Sequence, residues 1–331
     1  MAEELGEFAL IERFFSALGA RRSDVRVGVG DDGAVLTPPT GQELVAVTDT
    51  LVEGRHFPPG SPAASVGHRA LAVNLSDIAA MGARPAWALL ALTLPRANAL
   101  WLREFARGFQ LLAQDSGVAL VGGDTTAGPL CITVSVLGFV AVGQALRRSG
   151  AQPGDILFVS GTLGDAARGL QHELAQGGIA DGEALATDRS RAAALRQRFL
   201  YPSPRLSLGV ALSDLASACI DISDGLAADA GKMAAASGCG ALIDADSLPL
   251  SLALRADVGD QTAIELALTG GDDYELCFAV PPGRLDVLKR KLPMAQHGYQ
   301  CIGELCAERG VRVRQAGQFI ELNRAGFDHF R

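Results

Sequence analysis

Five apolar runs in this chain are followed directly by acidic residues, and this recurrence constrains the fold more than any other feature of the sequence. In residues 118–126, Val-Ala-Leu-Val-Gly-Gly-Asp-Thr-Thr, an apolar run stops at two glycines and presents Asp124. Because rigid folds carry functional loops at the ends of strands, we expect buried strands that end at these acids. The pattern recurs in residues 27–33, 44–50, 219–225 and 266–273.

Any one of these loops has an ordinary explanation, because glycine and aspartate are common turn residues. Five loops that all carry acidic residues indicate a common function. Carboxylates that converge without cations repel and raise one another's pKa. The set therefore predicts a divalent metal site, and hard oxygen ligands favour Mg²⁺, Mn²⁺ or Ca²⁺.

Length and charge narrow the function classes. A chain of 331 residues with 48% hydrophobic composition has enough apolar residues for a large core, and its length predicts two domains. The net charge of −8 argues against a nucleic-acid partner, because phosphate backbones are held by clustered basic residues. No lysine precedes Lys232, so a phosphate site in the first half must use metal, arginine or backbone amides.

The cysteines and the N-terminus predict a cytoplasmic protein. Six cysteines, at 131, 219, 239, 277, 301 and 306, form no Cys-x-x-Cys pair, and we expect them to be reduced and packed. The first residues are acidic, where a signal peptide is basic. The longest apolar run, 86–92, is far shorter than a membrane span, so no membrane partner is expected.

Hydrophobic spacing predicts the elements around the acids. Apolar residues at helical intervals indicate a docking helix over 6–18, ended by Gly19, and a helix over 65–82 with Asp77 at the edge of its buried stripe. The turn-rich residues 147–155 predict a domain boundary. Further strands are expected at 87–94, 131–142 and 156–159, and further helices at 97–116, 206–218 and 226–236.

Residues 28–33 match the dinucleotide fingerprint G-x-G-x-x-G, but the match fails in context. That fingerprint requires a helix to open there, and Ala-Val-Leu-Thr-Pro-Pro follows instead. Asp31 and Asp32 are better explained as metal candidates. His56, in the loop after the next predicted strand, is either a substrate contact or an incidental surface histidine.

Residues 221–225 precede the helix predicted over 226–236. Ser223 or Asp224 is expected to cap that helix. A second interpretation is that the free amides at the start of the helix also bind a phosphate. The spacing from Gly225 to Lys232 does not fit the P-loop, and no Gly-x-Ser-x-Gly occurs. Acids and aromatics at 270–278 and 326–330 suit an organic cation.

Six motifs run in order almost from one end of the chain to the other: residues 30–34, 48–57, 74–82, 122–126, 222–225 and 270–276. Each motif alone is weak, but the ordered set is highly specific. Together the motifs give the chain a resemblance to the thiamine-monophosphate kinase family. That family lies in the superfamily of aminoimidazole ribonucleotide synthetase and selenophosphate synthetase.

The resemblance implies a two-domain, aminoimidazole ribonucleotide synthetase-like fold. Residues 1–147 would form an N-terminal α/β domain that binds ATP and Mg²⁺, and its strands would pair with a second subunit in a homodimer. Residues 148–331 would form a C-terminal α+β domain. The active site is expected in the cleft between the domains.

The resemblance also assigns roles residue by residue. The magnesium ligands would be Asp32, Thr48, Asp49, Asp77, Asp124, Asp221 and Asp224, with the Val47 carbonyl as an extra ligand. The ATP contacts would be Gly123, Asp124, Arg148 and Ser223. The thiamine phosphate would be held by His56, Asp272 and Phe327. Asp124, Asp221 and Asp224 would be central to catalysis.

The sequence departs from the family pattern at Asp272, where the family usually has glutamate, so the reach to substrate is one methylene shorter. Residues 177–198 carry no motif, and no role is transferred to them.

The implied reaction is ATP-dependent phosphorylation of thiamine monophosphate to thiamine diphosphate with several Mg²⁺ ions. The alternatives are a sibling ATP-dependent synthetase, a metal-dependent phosphatase and a non-catalytic module that binds Mg²⁺ or nucleotide.

Overall fold

The computed structural model describes residues 6–176, 186–322 and 326. The chain packs as two compact units, one formed by residues 1–78 and 83–143 and the other by residues 79–82 and 144–331. In the described ranges, no helix is both long enough and apolar enough to cross a membrane.

The first unit is built on a four-stranded sheet. Its elements are α1 (Glu7–Phe14), β1 (Val25–Val27), β2 (Val35–Leu36), β3 (Gln42–Val52), α2 (Ala63–Ala80), β4 (Arg84–Leu94), α3 (Ala99–Ser116), β5 (Ala119–Ala127) and β6 (Cys131–Ala141). The sheet order is β3-β6-β4-β5, in which only β4 and β5 run parallel. β1 and β2 form a separate antiparallel pair.

The two faces of this sheet differ in chemistry because side chains alternate along a strand. On β3, Val45 and Leu51 are buried, whereas Leu44 on the opposite face is 53% exposed. Ile78 of α2 approaches Gly138 of β6, so α2 covers the inner face. The outer face exposes apolar side chains such as Leu89 on β4.

Helices α2 and α3 cross at two glycines. A Cβ on Gly108 would lie 1.8 Å from the carbonyl oxygen of Ala64, and one on Gly67 would lie 2.0 Å from that of Phe105. Only residues without a side chain allow this backbone contact. The crossing therefore fixes how closely α3 approaches α2.

The second unit is built on a seven-stranded sheet. Its elements are β7 (Ile156–Ser160), α4 (Asp165–Gln176), α5 (Ala186–Leu200), α6 (Leu206–Leu212), β8 (Ala218–Asp221), α7 (Leu226–Ala236), β9 (Gly240–Asp244), α8 (Leu252–Val258), α9 (Asp260–Thr269), β10 (Leu276–Val280), α10 (Leu285–Lys291), α11 (Met294–His297), β11 (Tyr299–Cys306), β12 (Gly310–Gln315) and β13 (Gln318–Ile320). The order is β13-β12-β9-β11-β7-β10-β8, with only β12 and β9 parallel.

Strands β7, β10 and β8 of this larger sheet are buried on both faces. Leu157 and Val159 of β7 pack in one apolar cluster with residues of α7. Phe158, which lies between them, packs in a second cluster and stacks on Phe278, with the ring centroids 5.4 Å apart. The continuous apolar composition of β7 and β10 follows from this burial.

Most of the predicted elements are present, but four predictions about individual elements were wrong. β3 and β5 do not stop at their acids: they continue as strands through Asp49 and Asp124, because both remain paired with neighbouring strands. The run 266–269 is the last turn of α9, since Ala263, Ala267 and Leu268 are buried at helical spacing. α6 ends at Leu212, well before the expected 218.

The predicted docking helix is shorter and less buried than expected. α1 ends at Phe14, and Phe8 is 85% exposed, whereas Leu10 and Phe15 are buried. All six cysteines lie in the described residues and are free thiols, as predicted. Cys301 is nevertheless exposed, so the prediction that every cysteine is packed was wrong there.

We expect Gly108→Ala to reduce the free energy of unfolding by about 1–3 kcal/mol, because the added methyl group overpacks the α2–α3 crossing. Urea unfolding measures this change. Gly283→Ala is the control, since a Cβ there meets no atom within 4 Å. Equal stabilities of the two variants would contradict the close crossing.

Candidate active site

Asp124 lies on the outer face of the first unit's sheet. Strand register places Asp124 beside Ala91, Ala91 beside Thr133, and Thr133 beside Thr50. The Thr50 and Thr133 hydroxyls are 2.8 Å apart. Asp124 is exposed, so its carboxylate is available to a ligand on this face.

Gly123 fixes the approach of β5 to β4. Its φ is +152°, and a Cβ there would lie 1.8 Å from the carbonyl oxygen of Leu90. Any side chain at this position would push the strand away and displace Asp124. The two glycines that were expected to end the strand instead let it continue close to β4.

Thr48 and Asp49 lie in the middle of β3, after Val47. The Thr48 hydroxyl is 2.9 Å from that of Ser135 on β6. Alternation puts Thr48 and Asp49 on opposite faces of the sheet. β3 and β5 are three inter-strand spacings of about 4.8 Å apart. Thr48 and Asp124 are therefore too far apart to share one ion within this sheet.

The remaining candidates of the first unit occupy different surroundings. Asp32 lies in the exposed loop between β1 and β2, where its amide donates to Asp31. Asp77 is half-buried near the end of α2, among buried neighbours, as the helix pattern predicted. The His56 Nδ1 accepts a hydrogen bond from the Val52 amide at 2.9 Å, which ties His56 to the end of β3.

In the second unit, Asp229 shapes the loop between β8 and α7. One carboxylate oxygen of Asp229 accepts hydrogen bonds from the amides of Ser223 and Asp224, both at 2.9 Å. The expected cap by Ser223 or Asp224 was wrong: Gly225 is the N-cap residue, and no side chain caps it. A carboxylate one turn inside the helix satisfies the loop amides instead.

Lys232, one turn further along α7, bridges two acids. Its ammonium contacts Asp224 at 2.5 Å and Asp229 at 2.7 Å. Burial raises the pKa of Asp229, and the ammonium of Lys232 opposes that rise. Asp221, at the end of β8, is buried.

The residues after α9 lie against this loop. The Asp272 amide donates to the Ser223 carbonyl at 2.9 Å, and the Tyr274 hydroxyl lies 3.2 Å from the Asp272 carboxylate. Asp272 and Tyr274 both have positive φ, at 71° and 51°. A Cβ on Gly271 would lie 2.4 Å from the Ser223 carbonyl oxygen. The structure therefore brings Asp272 together with Ser223 and Asp224.

The other two acids of this motif are structural. Asp273 accepts hydrogen bonds from the amides of Gly164 and Ala166 at the start of α4, and burial raises its pKa well above the usual value. Glu275 is 0% exposed and pairs with Arg198 and Arg205. Burial alone would raise the pKa of Glu275, but the hydrogen bonds from Arg205 and Ser160 and the charges of Arg205 and Arg198 together outweigh burial and lower the pKa.

Two further candidates are placed less directly. The Arg148 carbonyl accepts a hydrogen bond from Ser237, just beyond the C-terminal end of α7. The 11 residues of α7 span about 16 Å, so the Arg148 backbone lies far from Ser223 and Asp224. Phe327 lies outside the described residues.

Sequence reasoning missed Asp229 and the contacts of Lys232. Lys232 was considered only as a failed P-loop lysine. A signal was present, because Asp229 and Lys232 are three residues apart and therefore neighbours on a helix. The contact with Asp224 across the helix start carried no such signal.

The donor atoms suit Mg²⁺, although no ready-made cage is present. Among residues 6–176, 186–322 and 326, no three His, Cys, Asp or Glu side chains are placed to hold one ion. Mg²⁺ is usually bound by one or two carboxylates together with substrate phosphates and water. The Asp124 and Asp224 carboxylates and the Thr48 hydroxyl are oxygen donors that fit this chemistry.

We expect Glu275→Gln to lower the free energy of unfolding by about 3–5 kcal/mol at pH 7, because it leaves two arginines without their buried counter-charge. The folded-state pKa of Glu275 lies below the usual 4.5, so its contribution is present above that pH and lost as pH falls through the folded value. Urea unfolding at pH 7 and pH 4 should show a smaller difference in unfolding free energy between wild type and Glu275→Gln at the lower pH.

Glu104→Gln is the matched control, since Glu104 forms an exposed pair with Arg107 on α3. Its effect should stay within about 1 kcal/mol. A Glu275→Gln variant as stable as this control would show that the buried pair contributes little.

Comparison with known proteins identifies the family. The model of the AIR synthase related protein N-terminal domain matches residues 30–140, and that of the C-terminal domain matches residues 152–315. The thiamine-monophosphate kinase of Salmonella typhimurium is 45% identical over 98% of both chains, and that of Escherichia coli strain K12 is 46% identical over the same shares.

Solved structures agree with these matches. The thiamine-monophosphate kinase of Stenotrophomonas maltophilia K279a superposes with a TM-score of 0.81 and 46% identity, over 90% of this chain and 93% of that one. A complex of AaThiL with AMPPCP and TMP superposes with a TM-score of 0.76 and 30% identity, over 100% and 99% of the two chains. The chain therefore belongs to the thiamine-monophosphate kinase family, with the two-domain fold of the AIR synthase related proteins.

Proposed function

We propose that this chain phosphorylates thiamine monophosphate with ATP, giving thiamine diphosphate and ADP. The observation that carries the proposal is 45% identity to a thiamine-monophosphate kinase over 98% of both chains. The fold match to a protein complexed with an ATP analogue and TMP supports both substrates. The hydrogen bond from the Asp272 amide to the Ser223 carbonyl holds a proposed substrate contact beside a proposed ATP contact, in keeping with this reaction.

Both reactants are anions, and their repulsion is the main obstacle to the reaction. Two unit charges about 4 Å apart repel by about 4 kcal/mol at an effective dielectric constant of 20. The proposed metal ligands are themselves mostly acids and add further negative charge. Bound Mg²⁺ would neutralise that charge and hold the phosphate oxygens.

The chemical step is an in-line displacement. A phosphate oxygen of thiamine monophosphate forms a bond to the γ-phosphorus, the bond from that phosphorus to the β–γ bridging oxygen breaks, and ADP leaves with the electron pair. The attacking phosphate is ionised near neutral pH, so no general base is required. The protein contributes position and electrostatics, and no phospho-enzyme forms.

The roles implied by the family resemblance become proposals for individual residues. Asp124, Asp221 and Asp224 would be the catalytic metal ligands. His56 and Asp272 would hold the thiamine phosphate, together with Phe327. The other proposed metal ligands are Asp32, Val47 through its carbonyl, Thr48, Asp49 and Asp77, and the proposed ATP contacts are Gly123, Asp124, Arg148 and Ser223.

We further propose that the chain is a cytoplasmic homodimer in which residues 1–147 bind ATP and Mg²⁺. The outer face of the β3-β6-β4-β5 sheet supports the dimer. It presents Leu44 and Leu89 to solvent on a sheet whose other face is buried. A second copy of the same face would bury these side chains.

The decisive assay incubates the protein with ATP, Mg²⁺ and thiamine monophosphate, and separates thiamine species and nucleotides. We expect one thiamine diphosphate per ADP, with none from free thiamine and none in EDTA.

Asp124→Asn should reduce turnover by roughly 100-fold or more while the circular dichroism spectrum is unchanged, because a charged ligand is lost.

Other outcomes separate the rival functions. Phosphate released without ATP would indicate a phosphatase. ADP without thiamine diphosphate would indicate a sibling synthetase. Binding of ATP and Mg²⁺ without turnover would indicate a non-catalytic module. Near wild-type activity in Asp124→Asn would contradict the proposed role of that carboxylate.

The dimer proposal predicts that Leu44→Glu shifts the sedimentation coefficient towards that of a monomer, because it places a charge on the apolar face. Leu111→Glu is the control: Leu111 is a similarly exposed leucine on α3, away from this face. Sedimentation of Leu44→Glu identical to wild type would place the interface elsewhere.

A further inference from the structure

Lys232 makes a contact that the proposed phosphoryl transfer leaves unexplained. Its ammonium lies 2.5 Å from one oxygen of Asp224, a proposed metal ligand, and 2.7 Å from Asp229. A lysine in contact with a carboxylate that must bind Mg²⁺ occupies the position of a competing cation. The contact therefore bears directly on metal affinity.

The two carboxylates hold Lys232 unequally. The Asp229 side chain is 1% exposed, and its other oxygen is fixed by the amides of Ser223 and Asp224. The Asp224 side chain is 28% exposed. A buried carboxylate loses more than an exposed one when its cation leaves. Asp229 is thus the permanent partner, and Asp224 is the partner that can be given up.

Lys232 also has room to move. Its side chain is 43% exposed, so its ammonium can withdraw from Asp224 towards solvent while it stays on Asp229. No other lysine occurs before position 289. Lys232 is therefore the one lysine placed along this loop and helix.

We infer that Lys232 is a built-in competitor of Mg²⁺ at Asp224. In the metal-free protein its ammonium neutralises Asp224, and metal binding displaces it while Asp229 retains it. This inference rests on the proposed function, because it takes Asp224 as a metal ligand. Competition from Lys232 makes the affinity for metal lower than the carboxylates alone would give. Metal then binds only when nucleotide phosphate oxygens add further ligands.

The test measures Mn²⁺ binding in the presence of AMPPCP by electron paramagnetic resonance, which needs no turnover. We expect Lys232→Gln to bind Mn²⁺ on the order of tenfold more tightly than wild type. In wild type, an ammonium and a divalent ion about 5 Å apart would repel each other, and even at the dielectric constant of water this repulsion is large enough to weaken binding by about tenfold. Lys232→Arg keeps the charge and should bind like wild type.

Two controls separate a local effect from a general one. Lys291→Gln removes the same charge from an exposed pair with Asp214 and should leave Mn²⁺ affinity unchanged. In an Asp224→Asn background, Lys232→Gln should produce a smaller gain, because the competition for that carboxylate is removed and only the direct repulsion remains. If Lys232→Gln folds poorly, Asp229→Asn combined with Lys232→Gln removes the buried Asp229 charge together with its cation, and this double variant replaces Lys232→Gln in the measurement.

Each result decides the inference. Unchanged Mn²⁺ affinity in Lys232→Gln overturns competition, and weaker affinity shows that Lys232 positions Asp224 for metal. Thiamine diphosphate formation by wild type is measured in parallel. If wild type forms thiamine diphosphate and Lys232→Gln leaves the Mn²⁺ affinity unchanged, only the proposed competition is overturned. If Lys232→Gln binds Mn²⁺ more tightly but wild type forms no thiamine diphosphate, only the proposed reaction is overturned.

Discussion

Three buried carboxylates organise the second unit, because a charge removed from water must receive hydrogen bonds or a cation from the protein. Asp273 takes the amides that begin α4, Glu275 takes Arg198 and Arg205, and Asp229 takes two loop amides and a lysine. Each arrangement joins segments that are distant in the chain. Together they fix Asp273, Glu275 and the loop before α7, all of which lie next to Asp272. The side chains proposed to bind substrate therefore do not have to hold the fold together.

In the first unit, several of the candidate acids are exposed. Asp124 lies on an exposed sheet face, Asp32 lies in an exposed loop, and no lysine occurs in this half of the chain. These acids are available for ligands instead of being consumed by internal pairs. A kinase that brings two anions together needs carboxylates that can hold metal, and sheet strands hold them rigidly through backbone pairing.

Much of this arrangement was readable from the sequence, for identifiable reasons. Long periodic segments such as α2 and α3 were predicted to within two residues at each end, since their apolar spacing reports the helical period directly. Strand ends were not. Asp49 and Asp124 lie inside strands because neighbouring strands continue past them. Asp49 pairs with Val134 and Asp124 with Ala91, and pairing between residues so far apart in the chain leaves no local pattern. Within one motif, Asp272 and Glu275 looked alike, yet only packing made Glu275 structural.

Residue type and order along the chain were enough to establish the family, its two-domain fold and the kind of chemistry: oxygen ligands for a hard cation, with no lysine-based phosphate site in the first half. The folded molecule was needed to show which acids are neutralised internally, which face of the sheet Asp124 shares with Thr50, and that Lys232 contacts Asp224. Burial and charge pairing depend on distances through space, and strand register and helix packing set those distances only after the chain has folded.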